Sequence, residues 1–375
     1  MKQVFLPAEK KNGCALPNTD KSSRYCSVLY YVFLYAFSFL FLAFFSYSTS
    51  PFTTCDNGSD SAFFRLVGQG MVHGYLPYRD FFDMKGPFLF FVEFLGQRIR
   101  YGRWGIFLIQ TVSLFLVFLL ISALYSLYGI TGRLKQAVLL LPVAWTAAFT
   151  FEGGNLTEEL SLVPLLSSLY LCLSYFYHRE EPGPFWQKHV YACAGAWFGV
   201  CFGVLLMIRV TNAALLGAMG LAVTVHLLAA RKFRPLLVCV GTFFAGFLAS
   251  TLPFVLYYAS RDLLGQMLEA LFILGFKYSG EQSFRQHLGT ALAVNRNLLL
   301  LLPVPCAVVF LLRWRGWRER LLVFAGTVFT FLAVVTGNNF AHYYALTLPL
   351  VALGVIPLAE SFRRGRAGDL RRPSC

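Results

Sequence analysis

The chain has 375 residues, of which 57% are hydrophobic and only 13% charged, with a mean hydropathy of +0.60. That composition excludes ordinary soluble domains, in which about a quarter of residues are charged. It fits a polytopic all-α membrane protein, because long apolar runs recur from end to end. The net charge of +14 would point to nucleic acid only if the basic residues gathered on one folded surface, so its distribution decides the matter.

Taken in chain order, residues 1–24 form a basic tail. The first apolar run, 25–48, is too long for a signal-peptide core and lacks a small-residue cleavage site, so it reads as an uncleaved anchor. A spanning helix needs about 20 apolar residues. Further spans are expected at 105–127, 136–151, 160–177, 190–208, 213–230, 236–258, 293–312, 320–337 and 344–360, followed by a basic tail, 361–375. The run 86–97 is shorter, contains Glu93 and precedes Arg98, Arg100 and Arg103, which suits a helix lying at the interface. Most of the nine cysteines, Cys172, Cys193, Cys201, Cys239 and Cys306 among them, lie in apolar runs, and Cys55 has no obvious loop partner. No structural disulfide is expected.

With ten spans and the N-terminus inside, the inner segments carry 21 Lys/Arg against 7 acids, and the outer segments 11 against 11. The whole excess positive charge then faces inward, as the positive-inside rule requires. An eleventh span at 86–103 would invert everything after it and place the basic runs 231–234 and 313–320 outside. The basic loops are therefore topology determinants beside an anionic leaflet, and nucleic acid is not an expected partner.

This topology gathers the unusual polar groups on the outer side. They are Asp56, Asp60 and the stretch "PYRDFFDMKGP" in the large loop 49–104; Glu152, Asn155, Glu158 and Glu159 in and beside the second outer loop, 152–159; Arg209 and Asn212; Lys277 and Tyr278 in the longer loop 259–292; and His342, Tyr343 and Tyr344. A transporter would keep polar groups near the midplane, often in repeated halves. Only His226 approaches that description, near an inner helix end, and no internal repeat is present.

Within loop 49–104, Phe63, Phe64 and Val67 recur at helical spacing after Asp60, predicting a short amphipathic helix. Ser59 or Asp60 also suits its N-cap. Gly74 to Pro77 reads as a turn, and Gly86-Pro87 starts a second interfacial helix. In "FEGGNLTEELSL", Asn155 and Glu158 have capping-box spacing, so a well-capped helix entering the membrane explains them as readily as a site does. Arg209 would either snorkel to headgroups or meet a phosphate. An aromatic belt accounts for the tyrosines of "GNNFAHYYALTLP". The sequons at Asn57 and Asn155 matter only in a eukaryotic secretory pathway.

In order, an acidic residue after the first span, a short helix, "GYLPYRD", "FFDMKGP" and a hydrophobic helix resemble the first outer loop of GT-C glycosyltransferases. The bacterial family 39-like branch, which uses polyprenyl-phosphate-linked sugars (protein-mannosyltransferase and aminoarabinose-transferase-like proteins), is the most similar. The resemblance covers the first two outer loops and otherwise only the topology. It implies a single GT-C-like transmembrane domain, 25–360, of about ten helices, with two juxtamembrane helices in the first outer loop. It also implies an inverting glycosyltransferase of the cell inner (plasma) membrane, with cytoplasmic termini and an outer-face active site. By the resemblance Asp60 takes the role of catalytic base and Lys85 that of the lysine meeting the donor phosphate; Arg209, and after it Arg79, are cations that the residues themselves offer to the same phosphate. Glu158, Glu159 and Asn155 correspond to the acceptor or metal site. Asp56, Asp83, Asn212, His342 and Tyr343 complete the candidates. Asp60 with Glu158 or Glu159 would offer hard oxygen ligands to a divalent cation such as Mg or Mn. Expected partners are the polyprenyl-phosphate sugar, a glycan, lipid or protein acceptor, and membrane lipids. A lipid-linked saccharide transporter or flippase and a polysaccharide polymerase are the alternatives. The chain stops soon after its last span, where many such enzymes continue.

Overall fold

The computed structural model describes residues 19–54, 59–177, 189–275, 277, 283–294, 308, 310–311, 316–336 and 340–369. Every regular element among them is helical; the single β-bridge, Pro77 to Phe81, is isolated. The expected span 293–312 falls almost wholly outside the described residues, as do Asp56, Asn57 and Tyr278.

The helices are α1 (Thr19–Phe45), α2 (Ser59–Val72), α3 (Pro87–Ile99), α4 (Arg103–Leu127), α5 (Arg133–Thr150), α6 (Thr157–Tyr177), α7 (Val190–Leu206), α8 (Ala214–Ala229, led by a 3-10 turn Val210–Ala213), α9 (Phe233–Ala259), α10 (Leu264–Leu268, running into a π turn), α11 (Phe284–Val294), α12 (Trp317–Val335) and α13 (Leu348–Asp369, led by a 3-10 turn Ala341–Thr347). Five segments are long and apolar enough to cross a membrane: Tyr25–Phe45, Arg103–Leu127, Thr157–Phe176, Val210–Ala229 and Phe233–Ala259. The protein is a helical membrane protein. Two expected boundaries move. α1 begins at Thr19, inside the stretch read as a tail, and α13 runs to Asp369, past the expected end at 360. Flanking basic residues continue a helix as readily as they end it, because Lys and Arg have good helix propensity.

The main core joins α1, α4, α5, α6, α8 and α13 through Leu34, Phe118, Leu140, Leu165, Met219 and Leu353, all nearly inaccessible. α9 instead buries only Gly246, Thr251 and Tyr258 and presents Leu237, Phe244, Leu248 and Leu256 outward, as a lipid-facing helix must. It is held to α7 by small residues. A Cβ on Gly199 would overlap the Phe243 carbonyl, and one on Gly246 the Ala196 carbonyl, so the two backbones touch.

A smaller core sits apart. Phe64 and Val67 from α2, Leu89 and Phe90 from α3, and Leu156, Tyr258 and Met267 pack together with Tyr78. α2 and α3 are thus a helical pair docked on the ends of other helices, and neither is apolar and long enough to cross a membrane. Pro87 at the first position of α3, preceded by extended Gly86, starts that helix where the sequence places it.

Candidate functional site

The charged stretch 77–87 is shaped by its aromatics. Tyr78 adopts a left-handed backbone (φ 70°), costly for a bulky residue. It is held there by three contacts. Its N–H donates to the Phe81 carbonyl (2.8 Å), its hydroxyl donates to the Lys85 carbonyl (2.8 Å), and its ring lies edge-on to Phe90 and Tyr258. Asp80 accepts the Leu76 N–H (2.7 Å) and pairs with Arg79 (2.8 Å), whose guanidinium holds the carboxyl below its usual range. This pair faces solvent.

Lys85 points the other way. Its Nζ lies 3.7 Å from Asp83, 3.9 Å from Asp60 at the start of α2, and over the Phe64 ring. The Lys85 side chain is 17% exposed, whereas that of Asp60 is 48% exposed, so the acid is open to an incoming molecule. Burial pushes the Asp83 carboxyl up, against the opposing pull of Lys85.

This loop is fastened to the far end of α7 through main chain. Gly86 N–H donates to the Ile208 carbonyl (2.8 Å) and Phe88 N–H to the Met207 carbonyl (3.0 Å). Gly86 has an ordinary extended conformation, so glycine is needed only for the close approach: a Cβ would overlap the Met207 carbonyl. Met207 and Ile208 lead directly into Arg209.

Arg209 meets the start of α6. Its Nη1 donates to Glu158 (2.8 Å) and its guanidinium lies 4.1 Å from the Tyr343 ring centroid. Glu158 is 1% exposed and Arg209 19%, so this is a buried pair and not an arginine snorkelling to headgroups. Tyr343 and Tyr344 are buried too, which overturns the aromatic-belt reading. Asn212 donates to the Thr157 carbonyl (3.1 Å) and to Ser161 Oγ (2.8 Å). His342 bonds Glu152 through Nδ1, and that hydrogen bond lowers the Glu152 proton affinity.

Four consecutive residues, Glu152, Gly153, Gly154 and Asn155, have positive φ (42°, 93°, 80° and 62°). This left-handed run seats the "EGGN" loop against Ser46, Tyr47 and Ser48, with Ser48 N–H donating to the Gly153 carbonyl (3.1 Å). The expected capping box changes as a result. α6 opens at Thr157, and Glu159, not Glu158, turns back to accept the Asn155 N–H (2.8 Å). The freed Asn155 side chain donates to Glu93 on α3 (2.6 Å), and Gln110 on α4 donates to Glu159 (2.9 Å). Burial raises Glu93 to about 7.

The candidates therefore form two groups. Asp60, Lys85 and Asp83 make an open charged rim; Glu158, Arg209, Asn212 and Tyr343 form a buried cluster, with Asn155 and Glu159 joined to Glu93 and Gln110. Arg79 pairs with Asp80, and His342 with Glu152, so neither directly contacts the rim acids. Lys277 is exposed. The residues do not fit a divalent cation: Asp60 contacts Lys85, Glu158 contacts Arg209, and Glu159 is taken by amide donors. Among the described residues no group of three His, Cys, Asp or Glu side chains converges.

Sequence reasoning missed Glu93 and Gln110 as members of the cluster. Each carried a signal, being a carboxylate or carboxamide set among apolar residues within a hydrophobic helical stretch. Comparison of the chain with protein-family models, with curated proteins and with solved structures finds no match.

Proposed function

We propose that this protein is an integral-membrane glycosyltransferase of GT-C-like architecture, transferring a sugar from a polyprenyl-phosphate donor to an acceptor at the outer face of the plasma membrane. The observation that carries the reading is the pairing of half-exposed Asp60 with partly buried Lys85 at 3.9 Å. Their loop is fastened by main chain to the segment leading into Arg209. A base and a cation are thereby held beside each other at the ends of apolar helices. The reading takes the ten-span topology expected from the sequence, with basic loops inside, under which this rim faces the side where lipid-linked sugars are the available donors.

In the reaction, Asp60 takes the proton of an acceptor hydroxyl as its oxygen attacks the anomeric carbon. The bond from that carbon to the phosphate oxygen breaks, its electron pair leaves with the polyprenyl phosphate, and the anomeric centre inverts. The leaving phosphate is a stable anion that needs charge stabilisation more than a proton. Lys85 supplies it at the rim. Arg209 stays in the neighbouring buried cluster, where Glu158 takes up its charge, and supports the rim through the main-chain tie of residues 207 and 208 to Gly86 and Phe88.

Reconstitution with polyprenyl-phosphate sugars tests this. Asp60→Asn is expected to lower transfer about 10²- to 10⁴-fold, the usual range for a lost general base. A full rate in that variant, or lipid movement without glycosidic bond formation by the unaltered protein, would falsify the mechanism. Lys85→Ala is expected to weaken donor binding measured with the polyprenyl phosphate alone. Unchanged affinity would remove Lys85 from the site.

A further inference from the structure

At the other end of α6 lies a cleft unrelated to the charged rim. It has a volume of about 340 Å³ and is bounded by α6, α7, α8 and α9, with Leu171, Tyr191, Phe198, Val223 and Phe243 among its walls. Tyr175 beside it is about 25 Å from Glu158 at 1.5 Å per residue along the same helix. The walls are predominantly apolar, with Thr224, Cys172 and Cys239 the other heteroatom-bearing side chains beside the two tyrosines, so the interior holds water poorly. Three of the helices around it belong to the five long enough to cross a membrane. Val240 and Phe244 on its rim are exposed, and the medium that meets them is lipid.

The polar end has a definite composition. Tyr175 and Tyr191 share a hydrogen bond between their hydroxyls (3.1 Å), and Lys232 Nζ donates to the Tyr191 hydroxyl (3.3 Å). Lys232 sits in the turn between α8 and α9, flanked by exposed Arg231 and Arg234. Among the described residues no carboxylate pairs with Lys232. An apolar slot closed at one end by a lysine and two phenols matches an amphiphile with a hydrocarbon tail and an anionic phosphate head.

We propose that this cleft binds one acyl chain of an anionic phospholipid, from the leaflet on the side of the 231–234 basic turn, with Lys232 and the tyrosine hydroxyls meeting its phosphate. The site is independent of the transferase reading. Its position on four helices makes the bound lipid a filler of the joint between the α7–α9 pair and the rest of the bundle.

The test is native mass spectrometry of the delipidated full-length protein, titrated with phosphatidylglycerol or phosphatidylcholine carrying identical acyl chains. The unaltered protein should favour the first phosphatidylglycerol over phosphatidylcholine by about fivefold, the worth of one basic residue near an anionic headgroup. Lys232→Gln should abolish that preference while leaving phosphatidylcholine binding unchanged. Gly220 offers the steric arm: it lines the cleft and a Cβ there meets nothing within 4 Å, so Gly220→Phe starts its side chain from open space in the cleft. It should remove high-affinity binding of both lipids. Val240→Trp, from the exposed rim, should do the same and serves if Gly220→Phe does not fold. Equal adduct abundance in folded cleft-filling variants and the unaltered protein overturns the site. A preference that survives Lys232→Gln overturns the headgroup assignment.

Discussion

Glu93 shows how far a single buried side chain can depart from its solution behaviour. It accepts one hydrogen bond from Asn155, while its second oxygen is buried with no partner among the described residues. Loss of hydration raises its proton affinity from 4.5 to about 7, only partly opposed by Asn155 and Arg65. The folded state then holds this proton more tightly than the unfolded state does. Between pH 4.5 and 7 the native form binds more protons, so stability falls as pH rises through that window and is flat above it. The shift corresponds to roughly 3 kcal/mol. Glu93→Gln keeps the neutral, hydrogen-bonded form at every pH. The drop in thermal midpoint from pH 5 to pH 8, measured in detergent, should be smaller in that variant than in the parent, because other buried carboxylates such as Asp83 still titrate. Equal pH sensitivity in both would show that Glu93 is not the titrating group.

At the scale of elements, the rim depends on the joint between the start of α3 and the end of α7. Gly86→Ala introduces a methyl where the Met207 carbonyl sits, and backbone cannot move aside as a flexible side chain can. Loss of the Gly86 and Phe88 bonds would cost about 2 kcal/mol at typical net strengths, seen as a lower thermal midpoint. On the proposed transferase reading, affinity for polyprenyl phosphate should fall with it, because Lys85 precedes the displaced residue; an unaltered midpoint would refute the joint's importance. Much of this architecture was legible beforehand. The 3.6-residue recurrence of Phe63, Phe64 and Val67 announced α2, and Gly86-Pro87 announced α3. The joint itself was not legible, since residues 86 and 208 meet through main-chain atoms that leave no side-chain pattern. The pairing of Arg209 with Glu158 was equally hidden: each has a sound local explanation, snorkelling for one and capping for the other. Glu93 and Asn155 likewise meet across a separation that periodicity cannot see.

Over the whole molecule, the basic turn at Arg231–Arg234 and the rim at Asp60 and Lys85 lie toward opposite ends of the bundle in the proposed topology. A membrane-impermeant maleimide should therefore label Arg79→Cys in intact cells, and Arg231→Cys only after permeabilisation, in a background free of other accessible cysteines. The reverse order would invert the topology and the transferase reading with it. The tie between Gly86 and Ile208 carries a further consequence, for biogenesis. A ribosome extends the chain from its N-terminus, so Lys85 emerges long before its anchoring carbonyls exist. Until residues 207 and 208 are made, the loop has its local contacts to Phe81, α2 and α3 but lacks two of its main-chain hydrogen bonds, and until α9 is made Tyr78 lacks the Tyr258 ring. A chain arrested before residue 208 would carry the Asp60, Asp83 and Lys85 contacts without the tie that fixes their loop to the rest of the bundle, so the last restraint on the rim is also the last of them to be synthesised.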